Sequence, residues 1–507
     1  MKRCLPIILV LIFGVSLTAQ HEHLNPCGSP AVKSEWLKKY QLHPESYETS
    51  RNEIIYVPLA VHMVGEDNGT KFMSDIALQT ALCTLNDDFE QANIHFYLGK
   101  EIRYIADSRY AEHETVLQGA QMMFEYNDPA MINCYFMSDA ASNCGYNLPY
   151  AGMCISISCA GLGDHTWAHE MGHQLSLPHP FLGWEGGVSF DGSVTHNFDN
   201  PAPEKVLYDY TFFKDTLILD TMIIDTAYVE KMDGSNCMFA ADGFCDTAPD
   251  YLAGRWACDA SNNSITEQTD PDGVKFFSDG SLIMSYATDN CSSRFSDGQI
   301  LAMRANLIDE KGHLLGNENT QEPVTATVLE NPSPTDLELV HPENIDLAWD
   351  PVENATLYLV QLSFQQSFGL PVFDTIVSAP SVTIPSLQFA TRDHYWRVKA
   401  FNDYNFCADW LEGEGSFSPS ESVNIQDATA ESWRVYPTVV HAESMLNIEA
   451  EGTVGQLELN ILTTTGRTVY TMSVDQKRID LSHLAPGIYL VHLRDEKRQY
   501  TQKIIIQ

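Results

Sequence analysis

Residues 169–179 read His-Glu-Met-Gly-His-Gln-Leu-Ser-Leu-Pro-His, and few stretches of this length restrict a fold so strongly. Four residues on an α-helix slightly exceed one turn, so His169 and His173 project from one face. Neutral imidazole nitrogens suit zinc at roughly 2.0–2.1 Å. Glu170 sits one position along, near enough to act on a water at the metal without being a ligand. Pro178 lacks an N–H and restricts the residue before it, so the helix should end there and the chain turn back, bringing in His179 as a third ligand. Three protein ligands leave a fourth position open, the layout of a catalytic rather than a structural zinc site. A lone His-Glu-x-x-His pattern can be a solvated helix face. The third histidine and the downstream stretch Ser281–Tyr286 argue against that here, and the pattern reads as a zinc hydrolase.

At 507 residues the chain exceeds one ordinary domain, and three or four units are expected. Its formal charge of −39 argues against a nucleic-acid partner, which demands basic surface, and leaves carboxylates for calcium. The start, Met1-Lys2-Arg3 followed by an apolar run from Leu5 to Leu17 and then Thr18-Ala19-Gln20, has the layout of a secretory signal peptide. Cleavage after Ala19 would take the charge from −39 to −41. The run is too short for a membrane span and nothing comparable follows, so no transmembrane segment is expected. Of 12 cysteines, Cys4 leaves with the signal, and the odd remainder asks for one special thiol. Cys27, isolated in the turn-rich Asn25–Ser29 segment, is the candidate: either a zinc-binding latch that holds the open position, or an unpaired or intermolecular cysteine.

A short helix is expected around residues 33–40 and a longer one over 74–91. Strands are expected at 54–61, 94–98, 132–137 and 152–158. Alternating helices and strands suggest a mixed sheet. The 152–158 strand, if at an edge, would hold an extended peptide; if internal, it would not. Gly163-Asp164 caps the metal-site helix, with His165 at its start and not a ligand; His62 reads as structural. Residues 183–236 form an irregular acidic insertion with a strand-like patch at 217–224. Asp242–Asp250 clusters oxygen side chains that suit calcium, and equally suit a solvent loop. Ser296–Gln299 is a capping box opening a helix to about residue 307.

With these pieces in place, residues 54 to about 307 resemble the pappalysin family of metzincin metalloproteases, the group that includes ulilysin. The motifs are HEMGHQLSLPH, Asp242–Asp250 and Met284-Ser285-Tyr286-Ala287-Thr288-Asp289-Asn290-Cys291, leading into Phe295–Gln299. The resemblance implies zinc held by His169, His173 and His179, Glu170 as general base, and Tyr286 stabilising the oxyanion. It implies Met284 as the Met-turn beneath the metal and Cys27 as a latency cysteine. It also implies Asp289 as a pocket charge favouring cleavage next to Arg or Lys, and a disulfide between Cys258 and Cys291. One departure is Ser176, at a position where the family usually has glycine because the turn favours positive φ.

Further on, Trp349, Tyr358 and Tyr395-Trp396-Arg397-Val398 are similar to the core pattern of fibronectin type III domains. Val435-Tyr436-Pro437, Leu484–Tyr489 and the final Lys503–Gln507 are similar to the sorting domain of type IX secretion, implying that secretion machinery as a partner. The expected organisation is multidomain: a signal peptide (1–19), a propeptide (20–50), an α/β zincin (metzincin) catalytic domain (51–318) and two all-β sandwich modules (324–421 and 432–507). The sequence reads as a secreted or surface-attached zinc endopeptidase acting on proteins or peptides. The alternative is a non-catalytic adhesin with a vestigial zinc domain.

Overall fold

The computed structural model describes residues 24–29, 32–47, 53–185, 196–209, 224–316, 320–386, 392–420 and 434–440, then 445–449, 457–463, 468–473, 478–481, 484, 486–494 and 499–506. The expected signal peptide and most of the 217–224 patch lie outside these.

The first region is built around one mixed sheet. Its elements run β1 (Asn25–Cys27), α1 (Glu35–Leu42), β2 (Ile55–Gly65), α2 (Asp75–Phe89), β3 (Ile94–Leu98), β4 (Arg103–Ala106), α3 (Ser108–Ala111), β5 (Glu112–His113) and α4 (Val116–Tyr126). They continue through β6 (Ile132–Met137), β7 (Asp139–Ala140), β8 (Asn143–Leu148), β9 (Gly152–Ser156), α5 (Thr166–Gln174), β10 (Lys205–Asp209), β11 (Ile224–Tyr228), β12 (Gln268–Thr269), β13 (Lys275–Phe276) and α6 (Asp297–Asp309). The sheet order is β3-β2-β6-β9-β8-β7-β5, with β4 also on β2 and β1 on β8. β2 is nearly all apolar because its parallel neighbours β3 and β6 leave it central and covered on both faces. The period of two then sorts side chains. Cys134, Phe136 and Ile155 share one core with α2 and α5, whereas Tyr135, Met137 and Cys154 face α4.

The strand at residues 152–158 resolves as internal: β9 pairs with β6 on one side and antiparallel β8 on the other. Its outer neighbour β8 receives an extended segment instead, with β1 running parallel to it (Asn25 opposite Asn143, Cys27 opposite Gly145). β8 carries none of the β-branched residues that mark a strand in sequence. Helix α2 is capped by Ser74, which accepts from Ala77 N (3.3 Å). Helix α6 opens with the Ser296–Gln299 capping box.

Among the described residues four disulfides join Cys83–Cys407, Cys144–Cys159, Cys237–Cys245 and Cys258–Cys291. Cys27, Cys134 and Cys154 are free, so the odd count leaves three thiols rather than one. Cys134 and Cys154 are buried in neighbouring strands, where cysteine serves as a small hydrophobe.

Residues 338–419 form two facing sheets, ordered 338–340, 415–419, 394–401, 357–363, 371–377 and, separately, 343–348 with 381–386. Trp349, Tyr358 and Trp396 fill the space between them. Gly415 allows the close approach: a Cβ there would lie 2.0 Å from the Trp396 ring. This module is tied to α2 by Cys83–Cys407, by Gln79 Nε2 donating to Phe406 O (2.9 Å), and by Ile376 N donating to Asp75 Oδ2 (2.8 Å). Residues 434–506 carry a third set of β-sheets around Leu459, Ile461, Val491 and Ile504.

Candidate active site

Helix α5 carries His169, Glu170 and His173 into the centre of the first region. Asp164 accepts from Thr166 N (2.9 Å) at its start, although the N-cap residue itself is His165. Helix α5 ends at Gln174, and Ser176 adopts φ 72°, the left-handed turn that the glycine preference anticipates. Asn306 Nδ2 donates to the Ser176 hydroxyl (3.2 Å). The turn returns His179 to the other two histidines: the three Nε2 atoms lie 3.0, 3.2 and 3.2 Å apart.

Each ring is oriented from behind. His169 Nδ1 faces Ile283 O (2.8 Å) and His173 Nδ1 faces Leu177 O (2.8 Å). A carbonyl only accepts, so both Nδ1 atoms carry the proton and both Nε2 lone pairs point inward. His179 Nδ1 faces the Glu185 carboxylate (3.3 Å). Burial pushes His169 down to about 4 and the other two well below the usual histidine range, keeping the imidazoles neutral. Three inward lone pairs repel one another unless a cation lies between them. Ligands at zinc's bond lengths and a tetrahedral angle stand roughly 3.3 Å apart, so the donor set fits that ion. Among the described residues, Cys27, His169, His173 and His179 are the group of donor atoms that converges, all within 4.8 Å of one another.

Strand β1 delivers the cysteine, with Cys27 Sγ 3.5 Å from His173 Nε2. Gly28 N donates to Gly145 O (2.9 Å), and the Ser29 hydroxyl donates to Glu170 Oε2 (2.7 Å) while accepting from Asn147 N (2.7 Å). Burial raises Glu170 to about 7, and its Oε1 is buried without a protein partner. Gly145 leaves room for it, since a Cβ there would be 2.7 Å from Glu170 Cγ. Tyr286 donates to Cys27 O (3.3 Å), and burial holds its hydroxyl protonated. Met284 lies fully buried under α5, so close that a Cβ on Gly172 would be 2.3 Å from its sulfur.

Asp289 stands on the wall of this cleft, but its carboxylate is already engaged: Arg255 Nη2 pairs with Oδ2, and His165 N donates to Oδ1 (3.4 Å). His165 is not among the converging donors, and its ring contacts Asp88 (2.9 Å). His62 stacks on Tyr135. In the Asp242–Asp250 stretch the carboxylates serve as turn and cap acceptors: Asp242 for Phe244 N, Asp246 for Gly298 N, Asp250 for Leu252 N. Sequence does not single out Ser29, Asn147 or Arg255, because each acquires its neighbour only through tertiary packing, and it misses Glu185 although that residue lies only six positions after His179.

A family model for the secretion system C-terminal sorting domain matches residues 434–507, so the protein is secreted or held at the cell surface. No helix among the described residues is long and apolar enough to cross a membrane. No curated protein matches the chain. Among solved structures it is similar to a Tannerella forsythia promirolysin mutant (15% identity, 57% of this chain and 95% of that one, TM-score 0.37). It is also similar to metalloproteinase-II from Bacteroides fragilis (12%, 26% and 46%, TM-score 0.19) and to the fn3 domain of human collagen alpha-1(XX) (21%, 22% and 95%, TM-score 0.14).

Proposed function

We propose that the chain is a latent, exported zinc endopeptidase. It would comprise a signal peptide (1–19), a propeptide (20–50), a metzincin catalytic domain (51–318), a fibronectin type III-like module (324–421) and a sorting domain (432–507). The observation that carries this reading is the convergence of three oriented Nε2 atoms beside a buried glutamate, with an extended segment paired to β8 across the same centre. His169, His173 and His179 would hold zinc, which supplies a Lewis acid and an acidified water to the site.

The protein groups then divide the work. Glu170 accepts the water's proton on the carboxylate that Ser29 now covers, and later returns it to the leaving amine. Tyr286, kept protonated by burial, donates to the oxygen of the scissile carbonyl as it gains charge. Its present bond to Cys27 O, a backbone carbonyl in the cleft, supports this role. β8 offers main-chain groups to an extended substrate, as it now does to β1. Met284 supports the metal site from below, and calcium remains a proposed second ion. Cys27 blocks the open ligand position, so activity requires its removal. The test is peptide hydrolysis before and after cutting at Arg51 and separating the propeptide, with metal content measured on both forms. Silence before the cut and chelator-sensitive hydrolysis after it are expected; equal activity in both forms would remove the latency assignment.

A further inference from the structure

We propose that Glu185 is a positioning residue of the metal centre: it holds His179 in the orientation and tautomer that ligation needs, and it supplies a fixed negative charge beside a divalent cation bound there. The inference rests on the zinc reading of the site. Three neutral imidazoles bring no charge, so a divalent ion among them would sit in a buried centre with its charge uncompensated by its ligands. Of the carboxylates nearby, Glu170 must stay free to take up and return a proton, and Asp289 is paired with Arg255. Glu185 is under neither demand.

The chain after His179 is shaped to aim this carboxylate. Phe181 stacks flat on the His179 ring, with centroids 4.5 Å apart and 11° between the planes. The backbone then turns at Gly183 (φ 106°), where a Cβ would fall 2.8 Å from Ala227 Cβ on β11, so the turn requires glycine. Trp184, stacked on Tyr251 (4.9 Å), anchors the turn. Glu185 thus returns to His179: its Oε1 lies 3.3 Å from Nδ1, and its Oε2 accepts from Gly183 N (2.7 Å). Both side chains are largely shielded, at 15% and 2% exposure. With Oε1 accepting, Nδ1 carries the proton and the Nε2 lone pair faces the other two histidines. His169 and His173 are backed by the neutral carbonyls of Ile283 and Leu177. His179 is backed by a charge, which makes its imidazole the strongest donor of the three. Burial by itself pushes Glu185 up to about 8; the Gly183 N–H and a cation among the Nε2 atoms both favour its charged form.

The test is the zinc dissociation constant, measured by chelator competition on the full chain carrying Cys27→Ala so that the thiol does not contribute. Glu185→Gln and Glu185→Ala are compared in that background, and histidine labelled with nitrogen-15 reports the Nδ1 protons of the zinc-loaded proteins. Glu185→Gln keeps an acceptor but loses the charge and should bind zinc about tenfold more weakly; Glu185→Ala should lose about a hundredfold. The His179 Nδ1 proton should resonate downfield of those of His169 and His173, and in Glu185→Gln it alone should move upfield to join them. Should the alanine variant fold poorly, the near-isosteric glutamine variant carries the test. Zinc dissociation constants within about twofold of the Glu185 parent, or an unmoved His179 proton in Glu185→Gln, would overturn the inference. The expected differences in a protein that cleaves no peptide would uphold it and overturn the protease reading alone. A parent chain that binds no zinc would overturn both.

Discussion

Replacing Ser29 with alanine should make the uncut protein leak activity. The Ser29 hydroxyl does two jobs in the cleft, donating to Glu170 Oε2 at 2.7 Å and accepting from Asn147 N at 2.7 Å. A hydrogen bond to a charged group contributes about 1.5–3 kcal/mol, and a buried N–H left without a partner costs a similar amount. Water entering the opened cleft recovers part of this, so the net loss in propeptide docking is about 2 kcal/mol, a rise of roughly 30-fold in the released population. The Cys27 contact and the β1–β8 pairing are untouched, so the protein should remain mostly latent. The assay is hydrolysis of a quenched fluorescent peptide by the uncut chain, with Cys27→Ala as a second opening variant and Ser29→Thr as a hydroxyl-retaining control. Basal turnover in Ser29→Ala should rise about 30-fold and stay near wild type in Ser29→Thr. An uncut Ser29→Ala as silent as wild type would refute the idea that the hydroxyl covers the base.

Gly172→Ala should push Met284 aside, because the new Cβ would fall 2.3 Å from its sulfur; overpacking of this kind costs about 1–3 kcal/mol, read as a lower thermal midpoint and weaker zinc retention against a chelator. Cys83→Ser with Cys407→Ser should lower the stability of the full chain by about 2–4 kcal/mol by removing a cross-link that constrains the unfolded chain, measurable in urea without reductant. Burial raises Asp75 to about 6 from its ordinary value of 3.8, so the folded state holds that proton more tightly than the unfolded chain. Its contribution is therefore present below about pH 4 and is lost as pH rises to about 6, by at most about 3 kcal/mol. Asp75→Asn should flatten that part of the stability–pH curve, and an unchanged slope would contradict the assignment.

What sequence could convey was whatever local spacing enforces. His169 and His173 lie one turn apart, Pro178 forces the return of His179, and Ser296 announces α6 three residues before Gln299 completes its box. Ser176 was legible as a position wanting positive φ, since the turn that brings back His179 imposes it. The cleft's other wall was not legible. β8 reads Asn-Cys-Gly-Tyr-Asn-Leu, with no alternating β-branched pattern, because its shape is dictated by passage close to Glu170 at Gly145 and by the two strands beside it. Arg255 meets Asp289 across 34 residues and Cys83 meets Cys407 across 324, separations at which no periodicity acts. Counting cysteines misled for a related reason: a buried cysteine needs no partner, and parity cannot distinguish Cys134 and Cys154 from a pair.

The most direct measurement is peptide-bond cleavage by the full chain after propeptide removal, run beside Glu170→Ala and beside a sample stripped of metal and refilled with zinc. A zinc endopeptidase with Glu170 as its base should bind about one zinc per chain, lose hydrolysis on stripping and regain it on refilling, and as Glu170→Ala should bind zinc normally but not cut. Zinc binding without cleavage in the wild type, or cleavage that survives Glu170→Ala, would contradict that assignment.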